Sequence, residues 1–308
     1  MIKGKHLNKN STLGIIAPAS CDEKKIINKN IENLKNIGFK IEFSQHIYDK
    51  YGYLAGKDLD RAKELNNMFA DSSIDGIICL RGGYGSINII PYLDIENIKN
   101  NPKFFCGYSD ITILLNYLSS YLDLITFHGP MVNSNFNDKI TLNSFISIST
   151  SNSNTFTYNL LDYDNIEIIN PKSFSGKIIG GNLSIICSSL GTPYEVDTDN
   201  SILLIEEVNE YPYVIDRMLS QLLLSKKLKN CNGIILGHFK NCNLNNYNRS
   251  LTLKEIFMNK LSNLKIPIII NFPFGHDYPN LTIPIGATGK FSYKNMAVIL
   301  HFIHESLP

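Results

Sequence analysis

Short apolar runs alternate with charged, helix-like segments across the first half of the chain. The helix-like segments DEKKIINKNIENLKNIG and KDLDRAKELNNMFAD separate apolar runs such as LGIIAPAS, IDGIICL, KFFCGYSD and LITFHGP. Buried strands that alternate with helices are typical of a parallel, doubly wound sheet. We therefore predict a flavodoxin-like or Rossmann-like α/β fold for this half.

The loops that follow these apolar runs carry the candidate functional residues. They are APAS, RGGYGS, GYSD and FHGP. In a parallel sheet the carboxyl ends of the strands meet at one edge, where the binding crevice of such folds lies. We therefore expect the four loops to lie close together.

The composition of the chain changes near its middle. From about residue 136 to 165 the sequence is polar and rich in Ser and Asn, which is typical of a connection. Strand-like runs then alternate with fewer helix-like segments. We predict an N-terminal α/β domain at 1–150, a linker at 151–165, and a C-terminal β-rich α/β domain at 166–308.

The charge balance excludes some classes of partner. The 308 residues include 29 Lys and Arg against 28 Asp and Glu, and neither sign forms long blocks, so neither nucleic acid nor a membrane surface is expected as a partner. The apolar stretch near the N-terminus is short and is broken by Pro18, unlike a signal peptide. We expect a cytoplasmic protein whose ligands are small molecules or peptides.

Metal sites and disulfides are not expected either. The six cysteines form no C-x-x-C pair, and several lie in apolar runs such as GIICL, as buried reduced thiols do. The motif H-E-x-x-H is absent, and no His, Cys, Asp or Glu cluster has the spacing of metal ligands. We predict no metal and no other cofactor.

Ser109 lies at the corner between the apolar run KFFCGY and a helix-like segment. Its hydroxyl could cap the helix by accepting an amide hydrogen bond. Alternatively, the corner is a nucleophile elbow, which exposes the hydroxyl and leaves the next N–H to stabilise an oxyanion. The glycine run at 81–86 matches neither phosphate-binding motif, and it could form a turn or direct an N–H at that oxyanion.

A serine nucleophile needs a base, usually a histidine that a carboxylate orients. His128, His238 and His276 all follow apolar runs, and the last has the most loop-like context, FPFGHDYPN. Glu206 and Glu207 end the apolar run SILLIEE. Because side chains alternate along a strand, at most one of these glutamates can face a shared site.

The order of these motifs resembles that of the LD-carboxypeptidases of serine peptidase family S66. The resemblance spans nearly the whole chain, through GIIAPAS, CLRGGYGS, GYSDIT, FHGPM, GGNLS with GTPY, EEVNEYPYVIDRML, GHF and FPFGHDYPNLTIPIGA. It implies a triad in which Ser109 is the nucleophile, His276 the base and Glu206 the orienting carboxylate, with an active site at the interface of two domains. Ile111 replaces the second glycine of G-x-S-x-G, which disfavours an ordinary α/β-hydrolase.

The resemblance also implies the groups around the triad. The oxyanion hole would consist of the backbone N–H groups of Asp110 and Gly83, with Gly83 preferred over Gly82. The sequence itself leaves open how the terminal carboxylate of the substrate is held, and the candidates are Arg81, Arg217 and nearby backbone amides.

The implied function is that of a serine carboxypeptidase. It would act as a homodimer in the cytoplasm, releasing the terminal D-alanine of murein tetrapeptides during peptidoglycan recycling. The loop RGGYGS resembles the muropeptide branch, whereas the microcin branch has Asn in place of Gly85. The alternatives are a microcin C self-immunity-type peptidase that hydrolyses a peptidyl or aminoacyl nucleotide, and a non-enzymatic α/β protein that binds a small ligand.

Overall fold

The computed structural model describes residues 1–302, which divide into two compact units. Unit 1 consists of Met1–Ser153 together with Leu281–Gly286. Unit 2 consists of Asn154–Asn280 and the described residues from Ala287 onward.

The secondary structure alternates in unit 1 and is richer in strands in unit 2. The strands are β1 (Thr12–Ile16), β2 (Lys40–Phe43), β3 (Gly76–Cys79), β4 (Phe104–Gly107), β5 (Thr126–His128), β6 (Thr155–Asn159), β7 (Glu167–Ile169), β8 (Phe174–Asn182), β9 (Ser201–Val208), β10 (Gly233–Lys240), β11 (Ile268–Ile270), β12 (Ile283–Ile285), β13 (Thr288–Ser292) and β14 (Ala297–His301). The α-helices are α1 (Lys24–Lys35), α2 (Asp58–Ala70), α3 (Ile95–Asn100), α4 (Thr112–Leu122), α5 (Lys139–Thr150), α6 (Leu183–Ser189), α7 (Pro212–Leu224) and α8 (Leu253–Leu261). Within residues 1–302, no helix combines the length and the apolar character that crossing a membrane requires.

Unit 1 contains a six-stranded sheet in the order β12-β5-β4-β3-β1-β2. Strands β1 to β5 are parallel in the flavodoxin-like order 2-1-3-4-5, and β12 is antiparallel to β5. Every residue of β3 and β4 is buried, as expected for strands that are covered on both faces. Helix α1 buries Ile27, Ile31 and Leu34, which recur at helical spacing. The predicted doubly wound α/β domain is confirmed.

Unit 2 contains a mixed eight-stranded sheet in the order β6-β14-β13-β8-β9-β10-β11-β7. Strands β8 to β11 are parallel, and the outer strands pair antiparallel. Its core packs apolar side chains of α6, α7 and α8, among them Leu183, Leu219 and Phe257, with Leu203 and Ile205 of β9. The β-rich α/β character predicted for the second half is confirmed.

Two short segments differ from the pattern that the sequence suggests. Strand β6 lies within the stretch 151–165, predicted as a linker, and pairs with β14. Its side chains are half-buried or exposed, which explains why its composition resembles that of a loop. Strand β12 returns to unit 1 and pairs with β5, and a three-residue strand carries no signal for so distant a partner. The boundaries 1–150, 151–165 and 166–308 stay a prediction.

The loops at the carboxyl ends of the unit 1 strands are joined by backbone hydrogen bonds. The Ser20 N–H donates to the Gly82 carbonyl at 3.4 Å, and the Gly129 N–H donates to the Gly107 carbonyl at 3.1 Å. The loops after β1 and β3 are therefore adjacent, as are those after β4 and β5. This is the edge at which Ser109 lies.

Candidate active site

Ser109 adopts an uncommon backbone conformation. It follows β4, and its φ of 64° lies in the left-handed region that residues other than glycine seldom occupy. Helix α4 is preceded by Ile111, with no side-chain hydrogen bond at its cap, so the helix-cap interpretation of Ser109 is wrong. Backbone strain of this kind clusters at active sites, where it directs a side chain out of the fold. The geometry is that of an elbow.

Gly107 gives this elbow the space it needs. A Cβ at Gly107 would lie 2.9 Å from Cγ2 of Ile111, which is fully buried. The helix can therefore turn back tightly onto the strand because position 107 has no side chain. This packing accommodates isoleucine where an ordinary nucleophile elbow has its second glycine.

The glycine loop, which we define as residues 82–86, packs directly against Ser109. A Cβ at Gly82 would lie 2.8 Å from Cβ and 2.9 Å from Oγ of Ser109, and 3.3 Å from the Asp110 nitrogen. Gly83 is exposed and has a φ of 118°, and a side chain there would collide with Ser20. The structure thus brings the loop backbone to the serine, while the assignment of the Asp110 and Gly83 N–H groups to an oxyanion hole stays a prediction.

Glu206 and His276 meet within unit 2. Glu206 lies near the end of β9 and is fully buried, and its Oε2 is 2.6 Å from Nδ1 of His276, which lies in the loop after β11. A carboxylate can only accept, so Nδ1 carries the proton and Nε2 has a lone pair to act as a base. Burial alone would lower the pKa of His276, but the charge of Glu206, its hydrogen bond and the charge of Glu207 together outweigh burial and raise this pKa above 6.5.

Glu207 points to the opposite face of β9. Its carboxylate accepts hydrogen bonds from the Ser184 N–H at 2.8 Å, the Ser184 hydroxyl at 2.7 Å and the Asn182 side chain at 3.0 Å. Burial raises the pKa of Glu207, and these hydrogen bonds oppose the rise. Glu207 therefore anchors the beginning of α6, whereas Glu206 faces the histidine.

The loop that carries His276 is held by contacts that the sequence alone did not suggest. The Gly275 N–H donates to the buried Asn280 side chain at 3.0 Å, and Lys240 pairs with Asp277 at 2.7 Å. Gly275 itself has a φ of 109°, and a Cβ there would lie 2.7 Å from Oε2 of Glu206. No motif spacing indicates such contacts, because they depend on the path of the loop.

The remaining candidates from the sequence lie in both units, and Arg81 directly precedes the glycine loop. His128 is fully buried in β5 of unit 1, and Nε2 of His238 is 3.0 Å from the Pro279 carbonyl oxygen. Arg81 is hydrogen-bonded to Asp22 at 3.1 Å. Arg217 is exposed on α7.

Carboxylate recognition by either arginine stays a prediction. Within residues 1–302, no group of three or more His, Cys, Asp or Glu side chains is placed to hold a metal ion. Ser109 belongs to unit 1, and Glu206 and His276 belong to unit 2.

Two family models match the chain. The LD-carboxypeptidase N-terminal domain matches residues 13–129, which include the elbow. The LD-carboxypeptidase C-terminal domain matches residues 175–291, which include Glu206 and His276.

Individual relatives agree with these matches. The chain is 35% identical to the probable murein peptide carboxypeptidase of Bacillus subtilis, over 97% of this chain and 94% of the relative. It is 29% identical to the microcin C7 self-immunity protein MccF of Escherichia coli, over 93% and 92% of the two chains. The structure of muramoyltetrapeptide carboxypeptidase from Oxalobacter formigenes is similar, with a TM-score of 0.83, 27% identity and coverage of 94% of this chain and 98% of that chain. The chain therefore belongs to the LD-carboxypeptidase family, peptidase family S66, and is a serine carboxypeptidase.

Proposed function

We propose that the protein is an LD-carboxypeptidase that releases the terminal D-alanine from murein tetrapeptides through a Ser109, His276 and Glu206 triad. The observation that carries this proposal is the 2.6 Å contact between the fully buried carboxylate of Glu206 and Nδ1 of His276. A buried carboxylate that fixes the tautomer of an imidazole is the orienting half of a triad. The strained φ of Ser109 supplies independent support for the nucleophile.

The chemistry follows from these roles. Ser109 Oγ attacks the carbonyl carbon of the terminal amide while Nε2 of His276 accepts the hydroxyl proton. The N–H groups of Asp110 and Gly83 stabilise the tetrahedral oxyanion. The imidazolium then donates its proton to the leaving amine, and D-alanine departs. Water, activated by the same imidazole, hydrolyses the acyl-enzyme to the tripeptide and restores Ser109.

The relatives support the proposed substrate class. The B. subtilis relative is named a probable murein peptide carboxypeptidase and is aligned over nearly the whole of both chains. A carboxypeptidase must also recognise a free terminal carboxylate, and buried donors for that anion reject neutral analogues because they would remain unpaired. Arg81 and Arg217 stay the candidates for this contact. Action on recycled muropeptides in the cytoplasm and a homodimeric state rest on family resemblance.

A panel of muropeptides tests the proposed substrate. Purified protein is incubated with murein tetrapeptide, its C-terminal amide and murein pentapeptide, and the products are identified by mass spectrometry. We expect D-alanine from the tetrapeptide, none from the amide and little from the pentapeptide, whose terminal bond joins two D-residues. Equal cleavage of all three would contradict LD-specificity.

The microcin-type activity is the second candidate, because structures of MccF align with the chain at a TM-score of 0.89 and about 26% identity, covering 97% of this chain and 98% of that chain. The glycine loop argues against it. Gly85 has a φ of 112°, and a Cβ there would lie 2.5 Å from Cδ2 of Leu54, so an asparagine would need a rearranged loop. Incubation with a processed microcin decides the matter: release of the aminoacyl sulfamoyl nucleoside, with no D-alanine from tetrapeptide, would select the second candidate.

A further inference from the structure

The glycine loop is fixed on one side by a buried guanidinium. Arg61 lies on α2 and is 2% exposed. Its Nη1 donates to the carbonyl of Gly85 at 3.0 Å and also to the carbonyl of Pro18, and its Nη2 donates to Asp58. Burying a charge is costly unless it is paired and hydrogen-bonded, and these three acceptors satisfy both Nη atoms, whereas the buried Nε has no hydrogen-bond partner within residues 1–302. One side chain therefore joins α2, the loop after β1 and the glycine loop.

A buried carboxylate fixes the other side. Asp110 is 3% exposed, and its Oδ2 accepts the N–H of Ser86 at 2.8 Å. Burial raises the pKa of Asp110, and the Ser86 hydrogen bonding and the charge of Arg61 oppose the rise. The Gly85 carbonyl and the Ser86 N–H belong to the same peptide group. Arg61 and Asp110 thus hold opposite ends of a single peptide plane.

The orientation of that plane determines the path of the glycine loop. Gly85 has a φ of 112°, and a Cβ there would lie 3.2 Å from both Nη atoms of Arg61, so the backbone packs directly on the guanidinium. Two residues earlier in the loop is Gly83, one of the two proposed oxyanion donors, and Gly82 packs on Ser109. Asp110 supplies the other proposed donor through its own N–H. A rotation of the 85–86 peptide would therefore move one donor relative to the other.

We propose that Arg61 and the side chain of Asp110 are positioning residues, which hold the Gly85–Ser86 peptide in one orientation and so align the glycine loop for oxyanion stabilisation. The inference rests on the proposed function. An oxyanion hole acts on charge that develops in the transition state, so misalignment lowers kcat and leaves ground-state binding unchanged. A residue that only stabilised the fold would not separate kcat from KM in this way.

The variants are chosen to separate alignment from stability. Asp110→Ala removes the acceptor for the Ser86 N–H, whereas Asp110→Asn keeps an oxygen that can accept it. Arg61→Lys keeps the positive charge. A lysine has a single ammonium group, which cannot donate to Gly85, Pro18 and Asp58 at the same time as the planar guanidinium does. Lys103→Met is the matched control.

The control removes another buried cation of unit 1. Lys103 is 6% exposed and donates to the carbonyl of Asp71 at 2.8 Å and to that of Ile74 at 2.5 Å, and none of these groups belongs to the glycine loop. Its loss should lower stability without altering the alignment of the loop.

Two rates are measured for each folded variant. The first is D-alanine release from tetrapeptide, and the second is covalent labelling of Ser109 by a fluorophosphonate. During labelling, negative charge develops on the phosphoryl oxygen, which would occupy the same oxyanion hole. We expect Asp110→Ala and Arg61→Lys to lower kcat and the labelling rate by about 10²-fold with KM within about threefold, as loss of oxyanion alignment predicts. Asp110→Asn should recover most of the loss, and Lys103→Met should lower only the Tm.

The two rates test the two proposals separately, because D-alanine release depends on the proposed substrate and labelling of Ser109 does not. If the wild-type protein is labelled at Ser109 but does not cleave tetrapeptide, the substrate is wrong, and the labelling rates still test the alignment. Wild-type labelling rates in Asp110→Ala and Arg61→Lys would overturn the inference, and so would an equal loss of rate in Lys103→Met.

Discussion

Gly275→Ala should impair catalysis by displacing Glu206. The new Cβ would lie 2.7 Å from Oε2, 2.8 Å from Cβ and 2.9 Å from Cγ of that glutamate, whereas ordinary contact begins at 3.4 Å. The carboxylate would therefore have to move by about 0.7 Å to restore normal contact. Glu206 is fully buried, so its neighbours resist the movement.

Gly275→Ala should lower both the stability of the fold and kcat, for different reasons. A positive φ of 109° strains any residue with a side chain, and this strain costs on the order of 1–3 kcal/mol of stability. The displacement of Glu206 loosens its 2.6 Å contact with His276. A misplacement approaching 1 Å in a catalytic group costs about 10² in rate, so we expect kcat to fall by about that factor.

Gly38→Ala is the matched control for the backbone strain. Gly38 has a φ of 110°, and a Cβ there would meet nothing within 4 Å. Thermal unfolding and tetrapeptide kinetics are measured for both variants. We expect a loss of Tm in both and a loss of kcat in Gly275→Ala alone. Wild-type kcat in Gly275→Ala, or equal losses of kcat in the two variants, would refute the argument that the loop holds Glu206 in place.

Four further predictions concern the same site. Glu206→Gln should lower kcat by about 10⁴ because His276 loses its orienting carboxylate. Glu207→Gln, which weakens the anchor of α6, should chiefly lower the Tm. A larger loss of kcat in Glu207→Gln than in Glu206→Gln would show that the wrong glutamate was assigned. His276 must be neutral to act as the base, and Glu206 raises its pKa. The acidic limb of the pH profile of kcat/KM should therefore lie above pH 6.5 and move to lower pH in Glu206→Gln. An acidic limb at the same pH in Glu206→Gln would contradict the assignment of His276 and Glu206. The stability contributed by the same pair should be complete below pH 6.5 and decline as the pH rises through the raised pKa, which equilibrium unfolding across pH measures. Activity should survive prolonged incubation with EDTA, and loss that zinc restores would indicate a metallopeptidase.

The sequence predicted those parts of the fold that depend on local patterns. Strands β1, β3, β4 and β5 of unit 1 lie in apolar runs, so their alternation with helices was readable and the doubly wound sheet followed, whereas the edge strand β2 alternates polar and apolar residues. Strand β6 lies in the stretch predicted as a linker. Its side chains are half-buried or exposed, so the composition of this stretch is polar like that of a loop. Strand β12 has three residues and a partner about 150 positions earlier, and no local pattern encodes such a pairing.

The residues of the candidate site were predictable from the sequence, but their geometry and supporting contacts were not. The end of the apolar run SILLIEE supplied Glu206 and Glu207 as candidates, and side-chain alternation allowed at most one of them to face a shared site. Resemblance to the family selected the first, and the structure shows that Glu206 contacts His276. The corner at Ser109 was visible in the sequence, but its positive φ was not. The contacts of Arg61 and of the Asp110 carboxylate were missed because they join residues that only the folded chain brings together.

The proposed function requires Ser109 to be the nucleophile of an LD-carboxypeptidase. The most direct measurement compares the rate of D-alanine release from murein tetrapeptide by the wild-type protein and by Ser109→Ala, with circular dichroism to verify that the variant is folded. Because loss of a triad nucleophile costs about 10⁶ in kcat, we expect release by the wild-type protein and none above background by the folded variant. A folded variant that retains more than a few per cent of wild-type activity would show that Ser109 is not the nucleophile.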